Sequence, residues 1–371
     1  MKINISKNEL LSALRAVGRI IKTSNQQPAY NSFLIKIENE SCIRVTGSDE
    51  QGRIETTVHC NIEGFTERSF LLDSATILNV LKELPEQPIA IEVNDAKIVV
   101  KYNNGKFEMA QGDAILYPSF TFGDGLKCEI SRDHLYNGFK SVAKFALTDD
   151  TLRPIMTAVN LASTGDTTTF AASTGHTLAV YEVQNKDSQY LFNINLPNKI
   201  SKIISDLPAT TDENIQFVVA GNHVRFVIGD YTVSSRLVEG SYPNFRSVIP
   251  NNPDMDMIIN TSELISAINR VSVFSDEASS MIVLDIKDNI MTLSAENMDY
   301  SKSAKEEMML GEVYKPLKIG FKSNFLVDVL KTVSGDSGEC EIHFSGPNKA
   351  AIFRPKDSDI LTIILMPMQV Q

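Results

Sequence analysis

One helix-like segment is written three times along the chain. Asn8 to Val17 places Leu10, Leu11, Leu14 and Val17 around small residues; Asp133 to Val142 repeats the arrangement with Leu135, Phe139 and Val142, 125 positions later. Ser262 to Val271 repeats it again with Leu264, Ile268 and Val271, a further 129 positions on. A period of this length matches a domain and is too long for a solenoid repeat, so the 371 residues are expected to form three tandem copies of one fold.

Each copy can be followed past its leading helix. A pair of strand-like stretches comes next: Phe33 to Ile37 with Cys42 to Thr46, Ala158 to Leu161 with Thr168 to Ala171, and Ile282 to Ile286 with Ile290 to Ser294. Their β-branched content and alternation predict antiparallel hairpins. A second helix is predicted over Ala75 to Leu84, Asn198 to Leu207 and Ser323 to Val333, and Pro85 and Pro208 stop the first two. A last hairpin follows, and the first two copies close on Tyr117-Pro118-Ser119-Phe120 and Tyr242-Pro243-Asn244-Phe245, again 125 apart. Ile115 to Gly125 and Ser247 to Asp256, rich in Pro, Gly and Asn, read as linkers. The fold class is therefore α+β, two helices on an antiparallel sheet in each of three domains, at 1–122, 126–250 and 254–371.

The net charge of −11 argues against a polyanionic partner only if it is evenly spread. It is not: the six helical stretches carry a net +5 and the remainder −16. Ser6-Lys7-Asn8-Glu9 has the form of a capping box that fixes the start of the first helix. From that start Arg15, Arg19 and Lys22 fall on one stripe, opposite Leu10, Leu14, Val17 and Ile21, and Lys140 and Lys144 repeat Arg15 and Arg19 in the second copy. Helical lysines are commonly no more than a solvated face, but the same phase in two copies points to a positive lining on an acidic body. Such a lining suits a polyanion gripped through its phosphates without base readout.

Other chemistries find little support. Cys42, Cys60, Cys128 and Cys340 are scattered, without a Cys-x-x-Cys pair, and five histidines form no metal-spaced pair, so no metal or cofactor is expected. There is no Walker-type loop and no Gly-x-Gly-x-x-Gly fingerprint. Gly335-Asp336-Ser337-Gly338 imitates a serine-protease nucleophile segment, yet it follows a helix and runs into Glu339; His176 reads as a polar turn residue before it reads as a general base. The start Met1-Lys2-Ile3-Asn4-Ile5-Ser6 is strand-like and lacks a signal-peptide core, and no apolar run could span a bilayer, so the expected location is cytoplasmic, with no membrane partner.

Repeat, charge split and chain ending together resemble the bacterial DNA polymerase III beta subunit family of sliding clamps. The resemblance covers the whole chain. It rests on Thr46-Gly47-Ser48-Asp49, Gly175-His176 with Leu178-Ala179, Leu237 to Arg246, Ile319-Gly320-Phe321 and the tail Ile364-Leu365-Met366-Pro367-Met368. It implies a non-enzymatic, head-to-tail homodimer in which each chain supplies half of a six-domain ring, with twelve helices lining a hole that encircles double-stranded DNA. Arg15, Arg19, Lys22, Lys82, Lys140, Lys144, Lys199, Lys202, Arg270 and Lys331 are the helix cations expected to face that DNA. The third copy puts Val273, beside Phe274, where the first two carry Arg19 and Lys144, and the resemblance implies that this corner meets the strand edge of Phe107 and Met109 in a second chain; the plain alternative is ordinary core.

The resemblance also implies a groove for short apolar peptides of the replicative polymerase, a clamp-loader ATPase, repair polymerases, and ligase or mismatch-repair proteins. By position that groove is Met156, Gly175, His176, Thr177, Leu178, Pro243, Arg246, Val248, Phe325, Ile364, Leu365, Met366, Pro367 and Met368. Methionine suits a groove that adapts to several ligands. The chain departs from the family pattern at Thr177, Ser247, Ser279 and Lys322 around the rim, in its ending Gln369-Val370-Gln371, and at Ser24-Asn25 and Asp150 on the DNA side. Two other functional classes remain open at this point: a hydrolase using Gly335 to Gly338 with a histidine, and a tandem-domain scaffold that encircles nothing.

Overall fold

The computed structural model describes every residue except 23–24, 26, 95–96, 149–152, 186–189, 209–213, 252 and 371. The described residues hold six α-helices: α1 (Lys7–Gly18), α2 (Ser74–Glu83), α3 (Arg132–Val142), α4 (Asn198–Asp206), α5 (Thr261–Ser272) and α6 (Ser323–Val333). Ser6 caps α1 by accepting the amide of Glu9, Asp73 does the same for Thr76 at α2, and Asn260 for Glu263 at α5. The chain divides into two compact units, one formed by Met1–Phe139 with Leu196–Glu239 and the other by Lys140–Asn195 with Gly240–Gln371.

The first unit centres on an eight-stranded sheet. Gly52–His59 of the first repeat pairs antiparallel with Tyr231–Arg236 of the second, so Ile54 lies opposite Val233 and Arg53 opposite Ser234. A separate five-stranded sheet holds Lys2–Ser6, Asn61–Glu63, Pro88–Val93, Lys97–Tyr102 and, at its edge, Gly105–Ala110. Leu10, Leu14 and Val17 of α1 are fully buried, as are Phe33, Val45 and Ile54 of the larger sheet. Gly47 marks where helix and sheet come closest: a Cβ there would stand 2.7 Å from the Val17 carbonyl oxygen, which gives the Thr46-Gly47 motif a packing reason.

The second unit is built the same way. Its eight-stranded sheet joins Thr177–Gln184 of the second repeat to Leu361–Leu365 of the third, with Leu178 opposite Ile364. Two further long strands, Met281–Asn297 and Lys302–Lys322, pair with each other. The two stretches expected as separate strands around 282–294 are thus one bent strand, and its register breaks at Asp288, which adopts a left-handed φ of 57°. The sheets therefore run across the repeat boundaries, which a repeat read in isolation does not disclose.

Candidate nucleic-acid and partner interfaces

The helix cations fall into two groups. Arg15, Lys82, Lys140, Lys202 and Lys331 are exposed and have no carboxylate partner among the described residues. The others are paired. Arg19 meets Asp206 at 2.9 Å, Lys144 meets Asp328 at 3.6 Å, and Arg270 donates through Nε and the guanidinium fork to Glu306, the Nε bond being 3.0 Å. That fork holds the Glu306 carboxyl below its ordinary range. Lys22 reaches Glu50 at 3.0 Å; partial burial pulls its ammonium down, but the bond to Glu50 and the charges of Asp49 and Glu50 outweigh it and raise its pKa.

Lys199 is different in kind. Its Nζ donates to Asp49 at 2.7 Å and also to the carbonyl of Ile20. The Asp49 side chain is 0% exposed and accepts the amides of Gln51 and Gly52 at 2.8 and 2.9 Å. The ammonium thus neutralises a buried carboxylate between the end of α1 and the start of α4, so Lys199 is committed inward where the sequence suggested an outward cation. Asp49, Asp206, Asp328 and Glu306 were not legible as partners, since they lie 36 to 187 positions from their cations. Ser24 and Asp150 lie outside the described residues.

The residues assigned to the groove converge within the second unit. Leu178, Ile364, Ala171, Val180 and Ala350 form one buried cluster, against which Tyr242, Phe245 and Ile249 pack. Met156, Thr177 and Leu365 are buried beneath, while Pro243, Val248 and Met366 stay exposed, Met366 at 46%. The tail is fixed by backbone bonds: the Met366 amide donates to the His176 carbonyl at 2.9 Å and the Met368 amide to the Gly320 carbonyl at 2.8 Å. Pro367 sits between them. Gly320 lets the tail lie close, because a Cβ there would come 3.0 Å from Val370 and 3.2 Å from the Met368 carbonyl oxygen. Gly175, at φ 89°, makes the turn that presents His176, which stacks on Phe325 at 6.4 Å, with Lys322 above the same ring at 5.4 Å. Arg246 lies over Phe245 and pairs with Glu182. Tyr242 and Phe245 belong to this surface and were not assigned to it; the Tyr-Pro-x-Phe repeat was the signal available.

Among the outer strands of the sheets, two match the partners that meet at the joints between repeats. Gly105–Ala110, with Phe107 and Met109 half-buried, pairs only with Lys97–Tyr102. The stretch 302–309 pairs only with 290–297. At the end of α5, Val273 is 75% exposed and Phe274 39%, so neither is core. The decoy motifs resolve into turns: Ser337 accepts the Glu339 amide at 3.3 Å, between Gly335 and Gly338, both at positive φ. No trio of metal-ligating side chains occurs among the described residues, and no helix is long and apolar enough to cross a membrane.

Three tandem two-helix units on antiparallel sheets, with sheets continued from one repeat into the next, define the fold of a DNA clamp. Family comparisons agree along the chain. Residues 1–121 match the N-terminal domain, 129–244 the central domain and 246–369 the C-terminal domain of the DNA polymerase III beta subunit. The chain belongs to that family and is a sliding clamp. It is similar to the beta sliding clamps of Staphylococcus epidermidis (27% identical, spanning 100% of this chain and 99% of the relative) and Staphylococcus aureus (26%, with the same coverage). Solved structures with the same fold include a sliding clamp from Pseudomonas aeruginosa bound to griselimycin (TM-score 0.91, 24% identical) and one from Bacillus subtilis (TM-score 0.88, 23% identical). Each is matched over 100% of both chains.

Proposed function

We propose that two copies of this chain close head-to-tail into a ring that encircles duplex DNA and holds a replicative polymerase on its template, without catalysing a reaction itself. The observation that carries this reading is the pair of vacant edges. At both joints inside the chain, the last strand of one repeat (Tyr231–Arg236, Leu361–Leu365) pairs with the strand after the polar turn of the preceding repeat (Gly52–His59, Thr177–Gln184). The remaining last strand is Gly105–Ala110 and the remaining acceptor is 302–309. A third joint of the same kind, made between chains, would be a heterologous contact, and such a contact that closes gives a ring. Val273 and Phe274 flank that acceptor as exposed apolar residues, in place of the ionic Arg19 and Lys144 of the internal joints.

On this reading the domains are 1–122, 126–250 and 254–371. Arg15, Lys82, Lys140, Lys202 and Lys331 are the free helix cations for phosphate. The groove of Leu178, Ile364 and Met366 receives apolar peptides of the polymerase, the loader ATPase, repair polymerases, and ligase or mismatch-repair proteins. Loading the protein on nicked circular DNA and then linearising it tests the topology: release from the free ends is expected, and retention after linearisation would overturn the ring.

A further inference from the structure

The two joints inside the chain can be superposed in register, residue by residue. Across the sheet of the second unit runs the row Ser173–Leu178–Ile364–Ile352. Across the sheet of the first unit the corresponding row is Ser48–Arg53–Ser234–Arg225. Two further correspondences fix the match. The Arg236 amide donates to the Gln51 carbonyl at 2.8 Å just as Met366 donates to His176, and the linkers Tyr117 to Phe122 and Tyr242 to Ser247 align on Tyr-Pro-x-Phe. Position for position, the apolar residues Leu178, Ile364 and Met366 are replaced by Arg53, Ser234 and Arg236.

Arg53 is not a loose surface arginine at that place. Its side chain is 14% exposed, donates through Nη2 to the Pro118 carbonyl at 2.7 Å and through Nε to Ser48 at 3.1 Å, and lies against the rings of Tyr117 and Phe120 at 5.8 and 5.9 Å. Arg225 donates to Ser234 at 3.2 Å and lies 4.1 Å from the ring centre of Phe122, where the second linker has only Ser247. The guanidinium therefore ties linker to sheet at the place that Leu178, buried against Tyr242 and Phe245, keeps apolar in the second unit. Planar guanidinium groups suit this use, since they hydrogen-bond at the edge and stack on the face.

We infer that the joint between the first and second repeats is a second peptide groove kept shut, with Arg53 as the plug and Phe120 and Phe122 of the linker as the cover. Arg53 is then the residue that limits each protomer to one peptide groove. This rests on the reading that the Leu178 groove takes peptides, and the test keeps the two ideas apart. The probe is a short apolar peptide of the replicative polymerase, titrated calorimetrically into the full-length protein.

One peptide per protomer is expected for the wild-type chain, and two for a chain carrying Arg53→Leu, Ser234→Ile and Phe122→Ser. With the first groove disabled by Leu178→Glu, the opened variant should still bind one and the otherwise unaltered chain none. The reverse transplant, Leu178→Arg with Ile364→Ser, gives the new guanidinium the counterpart partners Ser173, Pro243, Tyr242 and Phe245, and should weaken binding by about tenfold or more. Wild-type protein that binds no peptide sinks the groove reading and the inference with it. Peptide bound at one per protomer, with a folded opened variant that gains no second site, overturns the inference alone; so does unweakened binding by the reverse transplant.

Discussion

A lysine on a helix counts as a DNA contact only if nothing in its own chain claims the ammonium. Lys199 and Lys202 make the comparison within α4. Asp49 is wholly buried with Lys199, two backbone amides and, at 3.8 Å, Lys22 as its partners, so Asp49→Ala strands the Lys199 ammonium and two donors together. A loss of about 2–4 kcal/mol in denaturant melts is expected, with the DNA salt dependence little changed. Lys202→Ala should leave the melt within about 0.5 kcal/mol and instead reduce the slope of DNA affinity against salt by roughly one ion. The buried linker tyrosines supply a pH test. Burial pushes Tyr117 and Tyr242 up to about 12, from an ordinary value of 10.0. The folded chain thus holds these protons more firmly than the unfolded one, and the stability they add is complete below pH 10 and lost as pH rises through 12. Urea midpoints measured from pH 9 to pH 11 should fall, and Tyr117→Phe with Tyr242→Phe should flatten that fall.

Elements were read from the chain more faithfully than their pairings. The caps at Ser6 and the stop at Pro85 place helix ends to within a residue or two, and hairpins such as 42–46 with its neighbours follow from alternation. What escaped was every feature defined by a distant partner. Gly52–His59 looks the same whether its outer edge faces water or Tyr231–Arg236, and a cation stripe says nothing of Asp206 or Glu306. Arg53 was invisible for the same reason: it matters only through its register with Ser234 and the carbonyl of Pro118. That the proposed groove residues lie together was legible, because the apolar ones cluster in two short motifs and the tail; the packing of Tyr242 and Phe245 against them was not. Removing Met366 to Gln371 takes away one wall and leaves the sheet register at Leu178 and Ile364 intact. Peptide affinity should drop beyond detection by fluorescence anisotropy while the dimer persists; unchanged affinity would place the groove elsewhere.

At the scale of the whole molecule, the proposed ring places its closing joint at the exposed Val273 and Phe274. Val273→Asp with Phe274→Asp should give folded monomers by sedimentation, with a circular dichroism spectrum unchanged; a persistent dimer would remove them from the joint. Those monomers would bear both vacant edges at once, and a head-to-tail contact that fails to close grows without limit. The edges carry a guard against this. Gly105–Ala110 brings Lys106 and Glu108 to its margin, and 302–309 brings Lys302, Lys305, Glu306 and Glu307, so each edge offers a sequence of signs and not a bare run of amides. An arbitrary strand laid against either edge meets like charges and desolvated lysines. The consequence, for the ring proposed above, is that its edges can come apart and rejoin without becoming seeds for fibres.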